Sequence, residues 1–291
     1  MLNLAQGDTQ RRAVSNSVDN GGGDEIVQTA KAIIESSSSL PQCRIGSKKN
    51  NAPATELTLS EVSLADAAAA EGLVVDSYSS SNSRLTEKNL SAVQSIIRYV
   101  REFLAKPNPN LGRKGPVCPF VPTSLKFDCL YFAVMTREDV SDVDELETMM
   151  VTAIDTFKNL EPKSGPKATF KAIIFIFPDM EKADIPVMID ALQKKLKPLF
   201  VEEGLMLGEF HKGNNATGLR NKSFFPLRTA YPCLAIRQMV PSDIAFLNPV
   251  EFPAAVRATM IRTFLRKFGD RSSNDQQTEV ARGLLNELSH K

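Results

Sequence analysis

Residues 168–177, ATFKAIIFIF, are the most apolar run of the chain, and they constrain its fold more than any other stretch. A run this continuous predicts a central strand buried on both faces, and Pro178 with Asp179 stops it. A strand of that kind needs covering layers, so the flanking segments have to supply helices and partner strands.

They do so in alternation. Leu90, Val93, Ile96, Ile97, Val100 and Leu104 recur at helical spacing after Thr86, a residue able to cap a helix. Residues 127–135 read as a strand rich in Phe, Leu, Tyr and Val. Ser141 and Asp144 then open a helix whose apolar face is Val143, Leu146, Met149, Met150, Ala153, Ile154 and Phe157. A second helix starts at Asp184, tolerates Pro186 in its first turn, and turns Met188, Ile189, Leu192, Leu196 and Leu199 inward. Residues 205–210 and 233–239 read as two more strands, and 241–268 as a further helical region. The order predicts an α+β two-layer sandwich, a mixed sheet with helices packed on one face.

The first 85 residues are of another kind. All 16 Phe lie at or beyond Phe103, and 21–23, 36–39 and 77–83 are low-complexity stretches. A segment so poor in aromatics predicts a largely disordered extension, with short helices at 24–34 and 59–71. The expected organisation is an extension over 1–85, one α+β domain over 86–270 and a polar tail with a short helix over 271–291.

Charge narrows function. With 35 Lys and Arg against 34 Asp and Glu, the whole molecule has no field that would gather nucleic acid or an anionic membrane. Cys43, Cys118, Cys129 and Cys233 are too scattered for a zinc site or a disulfide framework. No apolar run spans a bilayer and no secretory signal is evident, so a cytoplasmic protein is expected.

Chemistry is expected between residues 204 and 239. His211 stands where a strand becomes a loop, and imidazole is both a general base and a metal ligand. Glu209, two positions earlier, shares its strand face and is placed to orient the ring. Arg220, Arg228 and Arg237 offer forks for carboxylates. The loop LGRKGPVCPFVP, held between prolines, sets out Cys118, a second candidate ligand or nucleophile, and Phe120.

GRKGPVCPFVP at 112–122, with GEFH, GLRN, FPLR and P-x-LAIR between 208 and 237, resembles a bacterial family known as a domain of unknown function, over about residues 90–250. More loosely, the Pro-Cys loop, the Phe-His strand end and the arginines before Pro-x-Leu resemble the YqcI/YcgG family, some of whose members are haem-dependent N-oxygenases. That resemblance implies haem as cofactor, His211 as its axial iron ligand, Cys118 and Phe120 near the pocket, and Arg220, Arg228 and Arg237 on carboxylates. One protein ligand suffices for haem, which suits a chain with a single well-placed histidine.

Three readings follow. The first is a haem-binding oxidoreductase, an N-hydroxylating oxygenase of specialised metabolism acting on an amino-acid-like molecule that bears carboxylate and nitrogen. The second is a cofactor-free enzyme using His211 with Glu209, or Cys118. The third is a non-catalytic module binding a carboxylate ligand or a partner. The expected partner is a small molecule, not nucleic acid or membrane, with a homodimer as the candidate assembly.

Overall fold

The computed structural model describes residues 42–46, 74–78, 87–269 and 276–290. Six strands form one mixed sheet: β1 (Gln42–Gly46), β2 (Val74–Tyr78), β3 (Leu130–Val134), β4 (Ala172–Ile176), β5 (Leu205–Phe210) and β6 (Cys233–Gln238). Their order is β2-β1-β3-β4-β6-β5. Only β3 and β4 run parallel, and every other neighbouring pair is antiparallel. Among the described residues six α-helices accompany the sheet: α1 (Glu87–Arg98), α2 (Val121–Lys126), α3 (Val143–Asn159), α4 (Leu192–Glu202), α5 (Ala254–Phe268) and α6 (Gln276–Ser289).

β4 is the strand expected from its composition, and alternation along it separates two cores. Ile173 and Phe175 join Tyr131 and Ala133 of β3, Leu205 and Leu207 of β5, and Leu234 and Ile236 of β6 under α3 and α4. Ile174 and Ile176 join Leu130, Phe132 and Cys233 on the other side. That second face is covered too: Ala92, Ile96 and Ile97 of α1 pack there with Val100 and Leu104 of the π-helical turn Tyr99–Leu104. The expected sheet-and-helix layer therefore carries a further cover, which a strand apolar on both faces requires. Residues 168–170 lie in the 3-10 turn Pro166–Phe170 ahead of β4. Lys171, 1% exposed, donates from Nζ to the Leu160 carbonyl at 2.7 Å, and burial pulls its pKa below the ordinary 10.5.

α3 begins one residue later than expected. Asp142 is its N-cap, accepting from the Asp144 and Glu145 amides at 3.0 and 2.9 Å, while the Ser141 amide and hydroxyl both donate to Glu145 at 2.9 Å. Leu146, Met150, Ala153, Ile154 and Phe157 are completely buried, so the methionine spacing is core, as read.

Both chain ends add to the sheet and its cover, and the short helix expected in the tail is α6. β1 and β2 lie within the span expected to be an extension and add two strands beside β3. The helices expected at 24–34 and 59–71 lie outside the described residues. At the other end, α6 packs on α5, with Ala281 fully buried beside Ile261, Phe264 and Phe268. Among the described residues no helix is long and apolar enough to cross a membrane.

β5 is a sheet edge, and side chains blunt it. Gln193 Nε2 donates to the Leu207 carbonyl at 2.8 Å and Asn214 Nδ2 to the Glu209 carbonyl at 3.3 Å. Backbone acceptors that could recruit a foreign strand are thereby occupied.

Candidate functional site

His211 follows β5 directly and is buried, 6% exposed. Its Nε2 lies 2.9 Å from Asp190 Oδ1, and its Nδ1 accepts from the Gly213 amide at 3.2 Å. An Nδ1 that accepts cannot carry a proton, so the neutral ring donates its Nε2–H to the carboxylate. Asp190 stands in the π-helical turn Pro186–Ala191 that leads into α4. The orienting carboxylate is thus Asp190 and not the expected Glu209. Glu209 lies nearby: burial pushes its carboxyl above the ordinary 4.5, opposed by Lys197 and Asn214 and reinforced by Asp190. Burial likewise pulls Lys197 below its ordinary 10.5, opposed by Glu209.

The structure does not gather the other expected residues around the imidazole. Glu209 pairs with Leu234, and Met206 with Arg237. Glu209 therefore lies on the α3 and α4 face with Leu207 and Leu234, whereas Arg237 lies on the opposite face with Cys233 and Ala235. Arg237 makes a bidentate pair with Asp243, 2.7 Å on each arm, and the Asp243 side chain is only 2% exposed. The Arg237 guanidinium also lies 6.0 Å from the Phe120 ring centroid. Cys118 is half-buried and packs in the same second core, and Phe120 stands 6.2 Å from Phe170. A fork already filled by an internal carboxylate is a structural contact.

Arg228 belongs to the His211 side of the loop. Its Nε donates to the Asn214 carbonyl at 2.9 Å, its Nη2 to Asn215 Oδ1 at 3.4 Å, and its guanidinium lies 3.9 Å over the Phe225 ring. The turn that holds it is itself pinned: the Asn214 amide donates to the His211 carbonyl at 3.1 Å, and Asn214 Oδ1 accepts from the Ala216 amide at 2.8 Å. Arg220 is exposed, and its backbone approaches Gly112, whose φ of 73° only glycine adopts at low cost.

That approach docks two irregular loops. Residues 104–118 are closed by the Cys118 amide on the Leu104 carbonyl and the Val117 amide on the Lys106 carbonyl, both 2.9 Å. Residues 211–232 are tied across by the Gly218 amide on the Phe224 carbonyl at 2.7 Å, and Asn221 Nδ2 reaches the Asn110 carbonyl of the first loop at 2.8 Å. Phe224 plugs the junction against Phe103, ring centroids 5.9 Å apart.

The docked loops share a charge pattern that the whole-chain balance conceals. There is no Asp or Glu from residue 103 to 127 or from 210 to 242. The first loop brings Lys106, Arg113 and Lys114, and the second Lys212, Arg220, Lys222 and Arg228. All but Arg113 are exposed. Among the described residues none of the seven meets a carboxylate within 4.0 Å, while Lys88, Arg137, Lys158, Lys195 and Arg237 each do.

Residues 93–279 match the family described as a domain of unknown function, DUF6875. The chain belongs to that family. No curated protein and no solved structure matches it. The DUF6875 span begins inside α1 and ends in α6, so it includes both basic loops, Asp190 and His211, and leaves out β1 and β2.

Two signals for this site were present in the sequence. One is the pair of long stretches free of acidic residues. The other is Asp190, the only charged residue in IPVMIDALQ, although nothing local says which of the distant residues it meets.

Proposed function

We propose that this protein binds a carboxylate- or phosphate-bearing molecule on the face formed by the two docked loops. The carrying observation is a set of seven cations, none paired with a described carboxylate, on adjoining loops that hold no acidic residue. Exposed Lys and Arg without carboxylate partners leave a positive potential that an anion neutralises, and Arg228 is already fixed on Phe225 and on the turn at Asn214. Preorganised guanidinium lowers the ordering cost of binding.

Calorimetric titration with citrate and with sulfate tests the reading. Saturable binding that weakens about tenfold in a Lys114→Glu, Arg220→Glu, Lys222→Glu variant of unchanged fold is expected, since each exposed charge contact is worth about 0.2–1 kcal/mol. Failure of both anions to bind, or equal binding by the variant, would overturn it.

Haem on His211, which likeness to the YqcI/YcgG family would bring, asks for a ring nitrogen turned to the iron. Both nitrogens are engaged, by Asp190 and by Gly213, and Cys118, Phe120 and Arg237 lie across the sheet. The residues as arranged do not fit that group. Haemin titration is expected to give the same Soret spectrum for wild type and His211→Ala; a His211-dependent band would restore the oxygenase reading.

A further inference from the structure

The strongest internal feature near the basic face is a relay of hydrogen bonds that begins 38 positions before Arg228, at Asp190. The Asp190 carboxylate takes the Nε2–H of His211, which leaves the Nδ1 lone pair for the Gly213 amide. That bond shapes the turn whose next two residues, Asn214 and Asn215, hold the Arg228 side chain at Nε and Nη2. The ring edge lies close to the turn: a Cβ built on Gly213 would stand 3.6 Å from Nδ1 and 3.7 Å from Cε1. Without an acceptor at Asp190 one of the two bonds that hold the proton on Nε2 is gone, and a proton on Nδ1 would face the Gly213 N–H, donor against donor.

We infer that Asp190 is a positioning residue for Arg228, setting the guanidinium of the anion-binding face through the His211 tautomer and the 213–215 turn. The consequence for binding rests on the function proposed above, whereas the relay itself does not. Its chemistry is specific. Asp190→Asn keeps an oxygen that accepts the Nε2–H, so the relay survives, while Asp190→Ala removes it. A partner whose only task was packing would respond in proportion to volume instead, with Asn and Ala both damaging.

The experiment uses the full chain, labelled with nitrogen-15, and reads the His211 ring nitrogens, the Gly213 amide and the Arg228 Nε–H together with sulfate affinity. The wild type should show a single Nε2–H tautomer and a protected Arg228 Nε–H. Asp190→Asn should retain both, and Asp190→Ala should lose both. Sulfate affinity should fall by about fivefold in Asp190→Ala, by a similar factor in Arg228→Ala, and no further in the double variant, because linked residues are non-additive. An unchanged His211 tautomer or Arg228 signal in Asp190→Ala, or additive losses in the double variant, would overturn the relay. If the signals respond as expected but Arg228→Ala binds sulfate as the wild type does, the relay stands and the anion-binding reading fails at Arg228.

Discussion

Gly112 shows how one residue ties the two loops together. Its φ of 73° lies in the left-handed region, and a Cβ there would come within 3.0 Å of Arg220 Cβ. Gly112→Ala is therefore expected to cost about 1–2 kcal/mol from the backbone alone, and more if the loops must part. Urea unfolding measures the first, and weakened sulfate binding would report the second. Arg237 and Asp243 illustrate a contrasting residue-level outcome: a fork that looked available for a ligand already holds a buried carboxylate. Their pairing follows from the chain turning back after β6, and Asp243 Oδ2 also takes the Val240 amide at 2.8 Å.

Among the elements, α3 is the one whose local chemistry is most complete. Its cap, its acidic first turn at Asp144 and Glu145, and its buried stripe all point the same way. Asp142→Ala is expected to destabilise the protein by about 1 kcal/mol, because two amides lose their acceptor. A shift in the urea midpoint with an unchanged slope would check this. β5 carries a different lesson. As an edge strand it could recruit another chain, yet Gln193 and Asn214 occupy its outward carbonyls at Leu207 and Glu209. The same strand delivers Glu209 and His211 to the start of α4, where Asp190 waits.

For the whole molecule, Glu209 and Lys197 link stability to pH. Burial raises the Glu209 carboxyl above 4.5, so the native state holds its proton more tightly than the unfolded chain. That contribution is complete below about 4.5 and is lost as pH rises through the folded value. Lys197, lowered from 10.5, works the other way: its contribution is complete above that value and is lost as pH falls through the folded one. Each charge offsets the other between those limits. Glu209→Gln should accordingly remove the loss of stability that Glu209 brings as pH rises from about 4.5, which urea unfolding at a series of pH values would show. A decline of unchanged size would assign it to other groups.

Much of the architecture could be read in advance because helices and strands write their periodicity into neighbouring residues. The presence and order of α3, β4, β5 and β6, though not every boundary, and the methionine core and the loop before Phe120 follow from spacing a few residues long. The stretches without Asp or Glu were equally visible, but a net charge of +1 averages them away. Other features needed the chain in three dimensions. β1 and β2 join β3 across long separations, and their own sequence has no apolar signal strong enough to announce it. Strand register alone put Glu209 and Arg237 on opposite faces, and the packing of α4 on β5 chose Asp190 as the partner of His211. Side-chain pairs between distant residues depend on register and packing, which short-range patterns do not encode.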